Sequence, residues 1–324
     1  MFMQNTVENV LNKIKKTGFS VETDILSKDD IELLTNECKK ILSNNKKISD
    51  LKYNNNNFKK YDISQTIETN YNTKVRSLAG ISKKVDNILD KFLSKHEIKD
   101  ILQKVLGEGY KLYTCSLRHA SHKSSYVGLH TDANYQFSIS IFLNDVTPAN
   151  PTTVFYKKTH LLPFTFASKF ESIDVKYFIN KLKPATGKKG DVLFFFNKTL
   201  HGMKESDKET DNSTVILLCF HPSGYPHKPW NLPVNSYYNQ SFLNGLGEEL
   251  RKVLDNNLNL YNNKDGEMII KQSTDNTNRL IDSISSNNNY TMIDYLKTLN
   301  WWFNYSLSII YRIIRKITRI IHHG

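Results

Sequence analysis

Apolar residues along this chain follow two periods. From Thr6 to Lys16 they fall at Val7, Val10, Leu11 and Ile14, the spacing of an amphipathic helix, and Gly18 closes it. Phe19-Ser20-Val21 reads as a short strand. Ser27 then caps a second helix, with Asp29 and Asp30 in its first turn and Ile31, Leu33, Leu34, Cys38, Ile41 and Leu42 on its apolar side. Residues 43–60 are polar and Asn-rich, which predicts a surface loop. Helical spacing returns between Ser82 and Leu106.

After residue 110 the period shortens. Lys111 to Leu117, Phe137 to Leu143, Thr152 to Tyr156, Asp191 to Phe196 and Thr214 to Phe220 are alternating, β-branched or aromatic runs, and the last reads as a central strand. Short strands without intervening helices predict an antiparallel sandwich or barrel, not a parallel α/β sheet. Three units follow: residues 1–222 with helices leading into strands, residues 223–290 as a proline-interrupted and Asn-rich extension with a helix from Phe242 to Leu254, and residues 291–324 as a tail. In the tail, Leu299, Trp302, Phe303, Leu307, Ile309, Ile310, Ile313, Ile314, Ile317, Ile320 and Ile321 recur at largely helical spacing, with Arg312, Arg315, Lys316 and Arg319 on the other side. That pattern fits a basic amphipathic helix on an anionic membrane surface, or a terminal helix docked on protein; charge interrupts it too often for a bilayer span.

The formal charge is +12, from Lys+Arg 44 against Asp+Glu 32. Nucleic acid, an anionic membrane or an acidic substrate would each suit such an excess, and so would a Lys- and Asn-rich composition without function. No basic-aromatic binding motif is present, which ranks a nucleic-acid role last. Cys38, Cys115 and Cys219 are far apart with no C-x-x-C spacing, so neither a disulfide framework nor a zinc-thiolate site is expected. With no apolar signal segment in residues 1–10, the expectation is a cytoplasmic protein, peripheral on a membrane if the tail binds one.

Candidate chemistry sits in two short motifs. His130-Thr131-Asp132 places an imidazole and a carboxylate on one side of a strand, because residues two apart share a face. Gly190 to Gly202, G-D-V-L-F-F-F-N-K-T-L-H-G, brings His201 after a second apolar run. Two imidazoles and one carboxylate, leaving open positions, suit ferrous iron. His119, His122, His160, His221 and His227 read individually as structural or solvent-exposed. Phe137, Phe155, Phe194 and Phe196 can exclude water from a site, although strand aromatics are usually core.

These motifs resemble the iron(II)/2-oxoglutarate-dependent oxygenases, in particular the phytanoyl-CoA dioxygenase-like group. The resemblance runs from about Gly18 to Pro222. It includes Gly18 to Val21 leading into Leu26 to Asp30, Phe142 to Asn150, Thr153 to His160, and Gly190 to Gly202. It implies a double-stranded β-helix (a cupin-like jelly roll) with supporting helices. It also implies Fe(II) held by His130, Asp132 and His201, 2-oxoglutarate and O2 as co-substrates, and hydroxylation of a small or lipid-linked metabolite. One position departs from the family: Asn212 stands where an arginine usually meets the far carboxylate of 2-oxoglutarate. Arg118 is the foremost substitute, since a guanidinium pairs with a carboxylate bidentately. Lys204, Lys208, Ser213, Thr214, Tyr113 and Tyr126 are further candidates. The departure keeps open a second reading, a metal-binding jelly roll without 2-oxoglutarate turnover that serves in binding or as a scaffold. The substrate, and hydroxylation against desaturation, are not legible.

Overall fold

The structure is a computed structural model that describes residues 2–43, 45–47, 66–68, 73–77, 82–121, 127–132, 135–162, 181–204, 206, 211–223 and 245–254. The tail from residue 291, Tyr126, His122, Lys208 and His227 lie outside them.

Helix α1 (Phe2–Thr17) ends at Gly18, whose amide donates to Ile14 O at 2.7 Å. Gly18 has φ +95, and a Cβ there would press on Thr199 and His160. Only glycine meets both demands. Strand β1 (Phe19–Glu22) follows, then helix α2 (Lys28–Ser43). Ser27 caps α2 as expected, its Oγ accepting from the Asp30 amide at 3.2 Å. Strands β2 (Asn45–Lys47), β3 (Thr66–Glu68) and β4 (Thr73–Ser77) extend one sheet at its edge. Residues 45–47 were expected in a loop. They form a strand because a parallel ladder to β3 uses backbone groups and needs no apolar alternation. Helices α3 (Lys83–Ser94) and α4 (His96–Leu106) complete a helical layer.

The remaining strands are β5 (Lys111–Ser121), β6 (Phe137–Phe142), β7 (Thr152–Tyr156), β8 (Leu182–Pro184), β9 (Val192–Phe196), β10 (His201–Lys204) and β11 (Asn212–His221). They make two sheets, β1-β9-β6-β11-β5-β4-β3-β2 and β10-β7-β8. Apart from the parallel β2–β3 pair, the strand pairings are antiparallel. This is the mainly β jelly roll, a double-stranded β-helix with flanking helices, that the strand pattern and the resemblance led us to expect. As expected, β11 is central, between β6 and β5.

Alternation sorts the large sheet into two faces. Phe137, Ile139 and Ile141 of β6, Phe194 and Phe196 of β9, and Ile216, Leu218 and Phe220 of β11 share one core with the helices. Leu193, Phe195, Phe142, Val215 and Leu217 face the other way, with Phe19 and Val21 of β1. Between the core residues of β6, Ser138 and Ser140 turn to that second face and are buried too. A strand that alternates apolar residues with serine normally leaves its serines in water. Here they face the barrel interior.

A short helix α5 (Glu248–Val253) lies within the expected 242–254 helix. Leu246, Leu250, Val253 and Leu254 join the same core as the N-terminal helices. Asp90 of α3 accepts from the Leu250 amide at 2.8 Å, and Leu254 bridges Leu112 of β5. No helix among the described residues is long and apolar enough to cross a membrane.

Candidate metal centre

The two histidines meet because residues 127–130 lie antiparallel to β10. His130 and His201 exchange both backbone hydrogen bonds, at 2.8 and 2.9 Å, and the Met203 amide donates to Val127 O at 2.9 Å. Directly opposed residues project to the same face. Gly202 permits the close approach, since a Cβ there would lie 2.6 Å from Val127 O. Asp132, two residues beyond His130, donates its amide to Asn197 O at 3.0 Å. One ligand atom from each of His130, Asp132 and His201 falls within 4.8 Å of the others.

Each imidazole is held by its far nitrogen. His130 Nδ1 is 2.8 Å from Gly128 O, and His201 Nδ1 is 2.7 Å from Thr199 O. A carbonyl can only accept, so both Nδ1 atoms carry the proton and both Nε2 lone pairs face inward. His130 Nε2 is 3.7 Å from Asp132 Oδ1, and His201 Nε2 is 3.5 Å from Asp132 Oδ2. Adjacent ligands about 2.1 Å from an octahedral cation stand about 3 Å apart, so the two imidazoles and the carboxylate group lie close to the spacing that a shared metal requires. The donor set therefore fits a divalent first-row metal.

Electrostatics agree. Burial pushes the Asp132 carboxyl upward, but the adjacent imidazoles, His201 foremost and then His130, and the hydrogen bond from Asn197 outweigh it, leaving it far below the usual carboxylate range. Burial, then the neighbouring His201, lowers the His130 pKa, which keeps the imidazole neutral. Asp132 nonetheless exposes 40% of its side chain. Solvent therefore reaches the carboxylate.

The other candidates are distributed unevenly. Arg118 stands on β5 opposite Val215, with Nε 3.5 Å from Ser116 Oγ. Val215 packs with Phe155 and Phe195, so the register puts Arg118 on the site's side of the sheet. Ser213 is buried opposite Ala120. Thr214 takes the opposite face, its Oγ1 2.8 Å from His119 Nδ1. Lys204 Nζ donates to Pro148 O at 2.9 Å. Tyr113 lies on β5. Phe155 flanks His201 at 6.0 Å between ring centroids, while Phe137, Phe194 and Phe196 belong to the helix-side core. His160 is wholly buried, as a structural histidine should be.

Sequence reasoning missed Phe195, edge-on to His201 at 5.5 Å. It also missed a polar chain behind Asp132. Asn197 Nδ2 donates to Asp132 Oδ2 at 2.9 Å, and Ser138 Oγ donates to Asn197 Oδ1 at 2.7 Å. Cys219 Sγ lies 3.2 Å from the same hydroxyl, and burial pushes its thiol up to about 11, so it stays protonated. The one available hint was an asparagine closing a run of phenylalanines.

Residues 14–208, more than half of the chain, match the phytanoyl-CoA dioxygenase (PhyH) family, and all three ligands lie inside the match. The chain belongs to the phytanoyl-CoA dioxygenase family. That family depends on Fe(II) and 2-oxoglutarate. No curated protein matches this family member. Solved structures do. HygX from Streptomyces hygroscopicus, with nickel, 2-oxoglutarate and hygromycin B bound, is 12% identical over 67% of this chain and 88% of its own, with a TM-score of 0.50. AviO1 from Streptomyces viridochromogenes Tue57 is 15% identical over 68% and 97%, at 0.50. SnoN, a non-haem α-ketoglutarate-dependent epimerase from nogalamycin biosynthesis, is 12% identical over 73% and 91%, at 0.52. At such identities the likeness establishes the fold of this phytanoyl-CoA dioxygenase relative, and fold alone does not carry activity.

Proposed function

We propose that this protein is a non-haem Fe(II)/2-oxoglutarate-dependent dioxygenase that hydroxylates a small or lipid-linked metabolite. The observation that carries this reading is the convergence of His130, Asp132 and His201, with both Nδ1 atoms tied to backbone carbonyls and both Nε2 atoms turned inward. Iron held by these three residues would supply O2 activation coupled to decarboxylation of 2-oxoglutarate. The chain supplies the rest. Neutral His130 and His201 offer lone pairs, and anionic Asp132 offsets part of the metal's charge. Phe155 and Phe195 form an apolar wall beside His201 that limits water. Arg118 is the candidate for the far carboxylate of 2-oxoglutarate, with buried Ser213 beside it on β11 and Tyr113 and Tyr126 as further donors.

Anaerobic addition of Fe(II) and then 2-oxoglutarate tests the reading. A visible charge-transfer band that needs both additions and is lost in His201→Ala supports it. Tight iron binding with no band at high 2-oxoglutarate favours a metal-binding jelly roll without turnover, which Asn212 at the usual arginine position supports. SnoN is an epimerase, so products must be read for oxygen from O2 against hydrogen from solvent. HygX is described with hygromycin B bound, which makes polar small molecules the first substrate panel. The basic amphipathic pattern at 296–323 supports a cytoplasmic enzyme held peripherally on anionic membrane. Sedimentation of the full chain, but not of one ending at residue 290, with phosphatidylserine vesicles checks that.

A further inference from the structure

Two backbone hydrogen bonds and one to its side chain bind Asn197 into the fold beside the site. Its amide donates to Gln136 O at 3.1 Å, its carbonyl accepts from the Asp132 amide at 3.0 Å, and its Oδ1 accepts from Ser138 Oγ at 2.7 Å. Asn197 is 2% exposed and Ser138 0%. A carboxylate can only accept, so the Asn197 edge that faces Asp132 must be the amide, and the edge that faces the Ser138 hydroxyl must be the carbonyl. The donors therefore run one way, from Ser138 through Asn197 to Asp132 Oδ2, with the Cys219 thiol behind them.

We infer that Asn197 is a positioning residue that reserves Asp132 Oδ2, so that only Oδ1 is offered to the metal. This rests on the metal reading above. The consequence is chemical. An octahedral ion held by two imidazoles and one carboxylate oxygen keeps three positions for the bidentate 2-oxo acid and O2. A carboxylate binding through both oxygens would take one of those positions. Hydrogen bonds from outer partners orient ligands in this way and typically change metal affinity by about 10–100-fold. Ser138 acts through Asn197, because its hydroxyl touches the Asn197 carbonyl and no ligand atom is among its hydrogen-bond partners.

The probe is Co(II), added anaerobically to the metal-free full chain of wild type, Asn197→Ala, Ser138→Ala and the double variant. Affinity and the visible d–d spectrum are read together, and thermal melting of the metal-free forms controls for folding. Asn197→Ala is expected to weaken Co(II) by about 10–100-fold, because the carboxylate loses its fixed orientation, and to shift the d–d bands, because its second oxygen is free to displace a solvent ligand. Ser138→Ala should move both readouts the same way by less, and the double variant should match Asn197→Ala, because the two residues act in series. Wild-type affinity and spectrum in Asn197→Ala, or strictly additive losses, would overturn the assignment while leaving the metal reading intact. Wild type that binds no Co(II) overturns both. If Asn197→Ala does not fold, Ser138→Ala decides alone, and an unchanged affinity and spectrum there rejects the inference.

Discussion

Replacing His160 with glutamine tests how the jelly roll is closed against the N-terminal helix. His160 is 0% exposed, Nε2 is 3.0 Å from Lys15 O, and Nδ1 has no hydrogen-bond partner. Its ring stacks on Phe196 at 5.9 Å. Since Lys15 O accepts, Nε2 holds the proton and the ring is neutral; a second proton on Nδ1 would sit against Gly18 with nothing to receive it. Burial, which dominates, lowers the pKa from 6.5 to about 4 despite the Lys15 contact. With the unfolded value higher than the folded one, the unfolded chain binds more protons between pH 6.5 and 4. Stability is therefore full above 6.5, falls as the solution is acidified, and levels off below 4. At pH 5 the loss from this residue is about 2 kcal/mol relative to pH 7.5. Urea unfolding at pH 7.5 and pH 5 measures it. His160→Gln removes the titrating group but leaves the other histidines, so wild type should lose about 2 kcal/mol more than the variant over that interval. Equal losses in the two proteins refute the buried-neutral account.

Further predictions follow from the site and the caps. Gly202→Ala drives a Cβ toward Val127 O, so residues 127–130 must part from β10; divalent metal affinity measured by titration should fall at least tenfold, a loss of about 1.4 kcal/mol. Arg118→Ala should raise the 2-oxoglutarate concentration needed for the Fe(II) charge-transfer band by about 10–100-fold, the value of a charged hydrogen bond, with Arg118→Lys in between; an unchanged titration excludes Arg118 as the anchor. Ser27→Ala removes the cap of α2 and should cost about 1 kcal/mol in urea unfolding.

Much of the centre was legible because its cues are local. His130 and Asp132 share a face by strand alternation, and the run that ends in His201 marks a strand and its exit. What stayed hidden depends on partners distant in sequence. Asn197 lies 65 residues from the carboxylate it holds, and no periodicity marks it. Thr214 and Ser213 were equal candidates on paper. The register with β5 places Thr214 with His119 and Ser213 opposite buried Ala120.

The strand F-S-I-S-I shows where the division falls. Sequence alone determined that Phe137, Ile139 and Ile141 share one face and that Ser138 and Ser140 share the other, since side-chain direction along a strand is a property of its own backbone. Which face meets helices and which meets the metal centre was decided by the tertiary structure. Asn197 and Cys219 meet Ser138, and Phe155 of the second sheet packs with Phe142 and Phe195 on the serines' face, so that face is a buried interior and not a water-facing surface. Burial is set by what else packs against a face, and for Ser138 those elements come from residues far along the chain.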